Sequence, residues 1–523
     1  MRWLLLVLPL CLGLAAQEPI RVGVNEWFTV NPLLMTQDTD AEVTDLIFDR
    51  LITMDAQGNF IPEMLESWKI SPDGREILLK LRPGLTWQDG QPIEAEDLVF
   101  TWKMLRQPEI RKLADTTPGV ASLDSLEVVG PLQVRIRLKR PRGTLLPDLY
   151  SFVPVPRRHY RLGAKPETAP INFKPIGSGP YRVVGTATTK SLSLERWDGY
   201  RGIHPGTWPA FELKDLTEEK RIIPAFEEGR VHFVSTSALR YYLVRKGAVG
   251  TGLVEAVSVP QAAFGAFFLN CDPRLSVLGD VEVRRALAEL IPWKSKARAM
   301  RFFPAQMASS FWPPQSWAHD PTPRPLPQVE HAAEILDRAG WKLGSDGFRH
   351  DASGRLLQIV AYDGAKGNLS DVYQLALQAA KVGFKVERRE VSFAVLTKNA
   401  ADHNGDLWSF GWVLSLDPDV DSPLFTEEGY RTKANVSSYL NPEIDKLFEE
   451  GKHTLDPQAR QQIYRRISEI IYRDKPILPM TYTQNRILHS LRLKGVVFDL
   501  LGQSYGFWPG RRAWKLEAPA PKP

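Results

Sequence analysis

The sequence predicts a mixed α/β protein of more than one domain, and three observations carry that prediction. The chain has 523 residues, more than one ordinary core organises, and an apolar share of 43% that suits a large globular interior. Segments of apolar/polar alternation recur along it, bounded by Gly, Pro, Asp and Asn turns. Between them lie segments with apolar residues at helical spacing, two of them opened by an Asn-Pro or Asp-Pro step.

At the amino end, Arg2, the apolar run Trp3 to Leu14 and the small pair Ala15-Ala16 read as a secretory signal peptide. Cleavage is expected after Ala16, with Ala15 as the alternative, and the run is too short for a permanent span. Cys11 falls in this leader, because Leu8-Pro9-Leu10 lacks the small residue that lipoprotein processing wants. The mature chain then keeps only Cys271, which reads as a small buried apolar side chain and cannot form an internal disulfide. Losing Arg2 lowers the formal net charge from +5 to +4, with both signs interspersed. That balance argues against nucleic acid as a partner. Arg140-Pro141-Arg142 and Arg157-Arg158 read as solvated surface.

The elements follow in order. Ile20 to Val24 reads as a first buried strand, Asn25 to Pro32 as a loop and Glu42 to Arg50 as a short helix. Leu65 to Ile70 and Ile77 to Leu81 flank Ser71-Pro72-Asp73-Gly74, where Pro presets φ and Asp-Gly closes the turn, so the stretch predicts a β-hairpin. A second turn falls at Gln88 to Gln91, and Leu98, Val99, Trp102 and Leu105 mark an amphipathic helix. Leu132, Val134, Ile136 and Leu138 alternate with polar residues as a half-buried antiparallel strand. Ile176 to Tyr181, with two glycines and Pro180, reads as a tight structural turn, since no helix or Lys follows at phosphate-loop spacing. Val283, Ala286, Leu287 and Leu290 share a helix face, and the Pro-rich link 321 to 327 precedes a helix from Val329 to Ala339. Asn441-Pro442 opens a helix closed by Gly451, and Asp456-Pro457 opens another with Ile463, Ile467, Ile470 and Ile471 buried. Ala518 to Pro523 reads as a loose tail.

The segments LITMDAQGNFIPEMLESWKISPDG and LRPGLTWQDGQPIEAEDLVFTW, with their spacing, resemble the signature region of the family 5 extracellular solute-binding proteins. FGAFFLNCDPRLSVLGDVEVRRALAELI, HAAEILDRAGW, YLNPEIDKLFEEG and IYRRISEIIYRDKPILPMTY extend the resemblance over nearly the whole mature chain, most weakly around 201 to 260. It implies a periplasmic binding protein type II fold, two α/β lobes joined by a hinge, with an additional domain inserted in the first lobe. The implied division is a signal peptide 1–16, lobe I from 17–47, 172–265 and 483–523, the inserted domain II 48–171 and lobe III 266–482. It further implies capture of di- or oligopeptides by hinge closure, delivery to an ABC permease and its ATPase in the inner membrane, a periplasmic location and a monomer.

No catalytic constellation stands out. The sequence holds no H-E-x-x-H and no Walker A motif, and its nine His are scattered without metal-ligand spacing. Neither an enzyme nor a resident cofactor or metal is expected. The most promising binding segment is DLWSFGWVLSLDPDVDSPLFT. Trp408, Phe410 and Trp412 share one strand face, Gly411 permits close approach of another backbone, and Asp417-Pro418-Asp419 places charge beside them. In peptide-binding members a Gly-Trp-x-x-Asp segment pairs its backbone with the ligand, and its Asp receives the α-ammonium. Here Gly411-Trp412-Val413 aligns, yet Ser415 stands at the Asp position. Either Asp417 takes that role or the ligand lacks a free amino terminus. The resemblance also puts Asn25, Glu26, Trp27, Phe28 and Tyr482 in cleft-lining segments, with Phe267 and Asn270 near the interlobe crossover. A receptor for a nickel chelate or sugar, a periplasmic hydrolase and a chaperone are the alternatives.

Overall fold

The computed structural model describes residues 17–113, 119–163, 169–216, 222–236, 253–293, 296, 306–364, 370–415 and 417–518. The leader with Cys11, and the tail beyond Ala518, lie outside them.

Apolar alternation builds one eleven-stranded sheet that passes through both lobes. Its path runs Lys385–Glu390, Gln358–Asp363, Leu407–Val413, Val254–Leu269, Ile477–Ser490, Phe233–Ser235, Ile20–Val24, Ala210–Asp215, Ser191–Arg196 and Tyr181–Val183, with Gln306–Met307 pairing on Ile477–Ser490 off that path. Two strands are unusually long, Val254–Leu269 with 16 residues and Ile477–Ser490 with 14. They pair with each other from Val254↔Ser490 to Phe268↔Ile477, so they cross from one lobe to the other. Their register slips between Pro260 and Phe264 and again between Gly265 and Ala266. Such irregularities bend and twist a ladder, and here they fall where the lobes meet.

The chain between Ile20–Val24 and Tyr181–Val183 forms a separate four-stranded sheet in the order Leu65–Ile70, Glu76–Leu81, Gln133–Arg137, Ser125–Gly130. The hairpin closes as Ile70↔Ile77, with Gly74 at φ 68° donating to Ser71 O at 2.8 Å. Helix Ala95–Leu105 covers the sheet, and Ile77, Leu79, Val134, Ile136, Leu98 and Leu105 share one core. The first lobe packs Ile20, Val22, Trp27, Phe211, Phe233 and Trp514. In the second lobe, alternate residues of the same strands feed two cores. Phe264, Phe268 and Trp408 enter one, and Phe267, Leu269 and Leu407 enter the other.

Two expectations shift. The helix expected over Glu42 to Arg50 runs instead from Asp38 to Thr44. Asp38 and Asp40 favour its first turn. The carbonyls of Leu46 and Ile47 accept from Tyr181 N–H and Gly179 N–H, so they leave the helical path to meet the Gly177–Tyr181 turn. Gly451 does not close its helix, which continues from Pro442 to His453. A Cβ on Gly451 would stand 2.6 Å from Tyr464 Cε2, so this glycine serves close packing of the next helix, Pro457–Asp474.

Candidate ligand-binding site

Register locates the crevice. Ile20–Val24, Ala210–Asp215 and Phe233–Ser235 are parallel, and Ser235 lies opposite Ile487, so their carboxyl ends point towards the crossover. In the second lobe Gln358–Asp363, Lys385–Glu390 and Leu407–Val413 are parallel, and Val413 lies opposite Ala263. Their carboxyl ends also point to the crossover. Loops from both lobes therefore converge on the slipped register at Pro260–Phe264. In open α/β sheets, ligands bind outside the carboxyl ends of strands.

Strand Leu407–Val413 forms the second lobe's wall. Leu414 N–H donates to Ala262 O at 2.7 Å, and Asn270 N–H donates to Asp406 O at 2.8 Å. These bonds set the antiparallel phase, so Trp408, Phe410 and Trp412 turn their main chain to the long strand. Ser409, Gly411 and Val413 turn theirs to the opposite edge. On that edge the partner strand ends at Asp363↔Ser409. Gly411 and Val413 thus face an edge along which no strand of the described residues runs, and both are exposed. Gly411 lies level with Gly265. Neither has a left-handed φ, and a Cβ on Gly411 would meet only Phe264 O at 3.4 Å. Among the described residues nothing inside the fold demands glycine there.

The aromatic side chains on this strand belong largely to the core. Trp408 is fully buried, Phe410 stacks on Phe268 with ring centres 4.1 Å apart, and Trp412 leans on the same ring at 6.3 Å. Phe410 and Trp412 remain partly accessible, as does Ser415.

Asp417 is not free to receive an ammonium. It is buried, its carboxylate oxygens accept from Arg460 Nη1 at 2.6 Å and Nη2 at 2.7 Å, and it caps Pro418–Leu424 through Asp419 N–H. Asp419 accepts from the Tyr464 hydroxyl at 2.9 Å. Asp421 accepts from Trp312 Nε1 at 3.2 Å, and burial pushes its carboxyl up to about 8 against lowering contacts from Trp312, Trp412 and the Ser415 amide. All three aspartates turn inward and brace the segment that ends the strand.

The first-lobe loop splits in the same way. Trp27 is 1% exposed and belongs to the core, whereas Phe28 is 62% exposed and Asn25 and Glu26 are also exposed. Buried Asp40 holds the loop by accepting from the amides of Phe28 at 2.7 Å, Thr29 at 3.2 Å and Thr36 at 3.0 Å. Lys190 bridges Asp215 at 2.5 Å and Glu26 at 3.7 Å. Phe267, Asn270 and Tyr482 are structural. Phe267 is core, Asn270 donates to Gly405 O at 2.9 Å, and the Tyr482 hydroxyl donates to Ser310 O at 2.8 Å while accepting Ser310 N–H at 3.0 Å. Sequence reasoning missed Asp40, Gly265 and Arg460. Only Gly265 left a signal, a lone glycine inside an aromatic strand.

Among the described residues no three His, Cys, Asp or Glu side chains converge as metal ligands. Burial pushes the Cys271 thiol up to about 11, which suits an inert side chain.

A family model for the bacterial extracellular solute-binding proteins, family 5 (middle), matches residues 59–431. The chain belongs to this family. Members are solute-binding proteins. The oligopeptide-binding protein AppA of Bacillus subtilis is 23% identical over 509 residues, spanning 95% of this chain and 90% of its own. The structure of that protein in complex with a nonapeptide superposes with a TM-score of 0.76 at 21% identity, covering 96% of this chain and 99% of that one. NikZ from Campylobacter jejuni in complex with Ni(L-His) superposes at 0.78 with 20% identity, covering 95% and 99%. These likenesses show the type II binding-protein fold, with its two lobes.

Proposed function

We propose that this family 5 protein captures di- or oligopeptides in the interlobe crevice and hands them to an ABC permease with its ATPase. The observation that carries the proposal is the main-chain edge of Gly411 and Val413 at the mouth of the crevice, along which no strand of the described residues pairs. An extended peptide added there gains main-chain bonds that do not depend on its sequence. The Bacillus subtilis relative is an oligopeptide-binding protein, which supports the same reading.

Closure is a two-state equilibrium biased by the ligand, with the slipped ladder of the long strands as the hinge. Lobe I comprises 17–47, 172–265 and 483–523, the inserted domain 48–171 and lobe III 266–482. The protein works as a monomer in the periplasm after loss of the leader.

The buried pairing of Asp417 favours a ligand whose amino terminus is not held by a carboxylate at this edge. Native mass spectrometry of the purified protein tests the proposal. A retained ladder of peptides is expected, and a metal chelate or sugar in their place overturns it.

A further inference from the structure

We infer that the four-stranded unit positions the ligand edge, through a latch seated on Arg460. This rests on the reading of Leu407–Val413 as that edge. The latch joins residues 140–143 of the unit to the end of helix Pro442–His453 in the second lobe. Gly143 N–H donates to Lys452 O at 2.8 Å. His453 Nδ1 lies 2.6 Å from Pro141 O, and its Nε2 lies 3.2 Å from Glu449 Oε1. Arg140 pairs with Glu449 at 2.5 Å, but both side chains are 55% exposed, so solvent and salt screen that pair. The two contacts to main-chain oxygens carry the latch.

Gly143 shows that the contact is built and not incidental. Its φ is not left-handed, so its own backbone does not require glycine. A Cβ there would stand 2.5 Å from Thr454 O and 3.0 Å from Arg460 Nε. Only the neighbouring lobe excludes a side chain at this position.

Arg460 links the latch to the edge. Its Nε donates to Gly451 O at 2.9 Å, its two Nη atoms hold Asp417, and its guanidinium lies 4.9 Å from the Trp317 ring centre and 5.3 Å from that of Tyr464. Across the boundary, nearly buried Arg142 and Asp148 pair at 2.5 Å. Burial pushes the Asp148 carboxyl up to about 6, Arg142 and Thr144 lower it, and Asp417 raises it further. Asp417 in turn fixes the end of the segment that leaves Val413, so a shift of the seat moves the open edge.

Hydrogen exchange on the full mature chain without added ligand tests this. Peptides covering 140–146 and 409–415 are compared in the unaltered protein, Gly143→Ala and His453→Ala. Exchange should rise about tenfold in both peptides of each variant, the effect of about one lost buried hydrogen bond, with the thermal midpoint retained. Faster exchange in 140–146 alone overturns the coupling, and no change in either peptide overturns the latch. If Gly143→Ala fails to fold, His453→Ala carries the test, because it removes a contact without adding an atom. The readout needs no ligand. Coupled exchange in a protein that retains no peptide would uphold the latch while counting against the proposed function.

Discussion

Replacing Val413 by proline tests the free edge most directly. The Val413 N–H points away from the long strand, so the fold loses no ladder bond when the pyrrolidine ring takes its place. The adjacent residue is extended already, which is the conformation a following proline prefers. Folding stability should therefore change by about 1 kcal/mol or less. A ligand strand would lose a hydrogen bond worth ~0.5–1.5 kcal/mol, and the ring would push it out from the ~4.8 Å strand spacing. Together these should weaken binding about a hundredfold, or ~2.7 kcal/mol. Trp412→Pro is the control. Its main chain faces Phe264, so it removes a bond inside the sheet and should destabilise the protein by ~3 kcal/mol or more. Calorimetric titration with pooled synthetic oligopeptides, beside thermal melts, separates the two. Unchanged affinity in Val413→Pro with an intact melt refutes the free edge. Equal destabilisation by both prolines refutes the assigned phase.

Asp417→Asn should destabilise the protein by ~3 kcal/mol, because it leaves Arg460 buried without its charge partner, and should weaken free-amine and N-acetylated peptides alike. A selective loss of free-amine peptides in titration would restore Asp417 as the ammonium acceptor. Trp27→Ala should cost ~3–5 kcal/mol in a denaturant melt, while exposed Phe28→Ala should stay within ~0.5 kcal/mol and reduce peptide affinity. Comparable melts for the two would contradict the split of that loop into core and crevice. Asp421 has its folded-state carboxyl raised to about 8 from 3.8. The folded state thus holds its proton more tightly than the unfolded state. Its contribution is greatest below the unfolded value and is lost as pH rises towards 8. Asp421→Asn should flatten the fall in melting temperature between about pH 5 and pH 8. An unaltered slope would show that Asp421 titrates normally.

Much of the fold was legible in the chain because its signals are local. Ser71 to Gly74 encodes a turn in four residues, and Asp456-Pro457 encodes a cap and a first helical turn in two. The helix at 42–50 was misplaced because the groups that stop it, Gly179 and Tyr181, lie far along the chain. Gly451 misled for a similar reason, since a glycine that ends a helix and one that lets Tyr464 approach look alike in sequence.

The candidate site divides along the same line. By itself the sequence determined the family, a strand carrying Trp408, Phe410 and Trp412 and its period of two, because repetition of apolar residues and turn chemistry are properties of neighbours. Which residues of that strand lie on its open edge was decided only in three dimensions. Among the described residues the strand has an unpaired edge because Gln358–Asp363 stops pairing at Ser409, and Asp417 is unavailable because Arg460 reaches it from a distant helix. Strand ends and buried charges are settled by whichever partner arrives, and no local pattern names that partner.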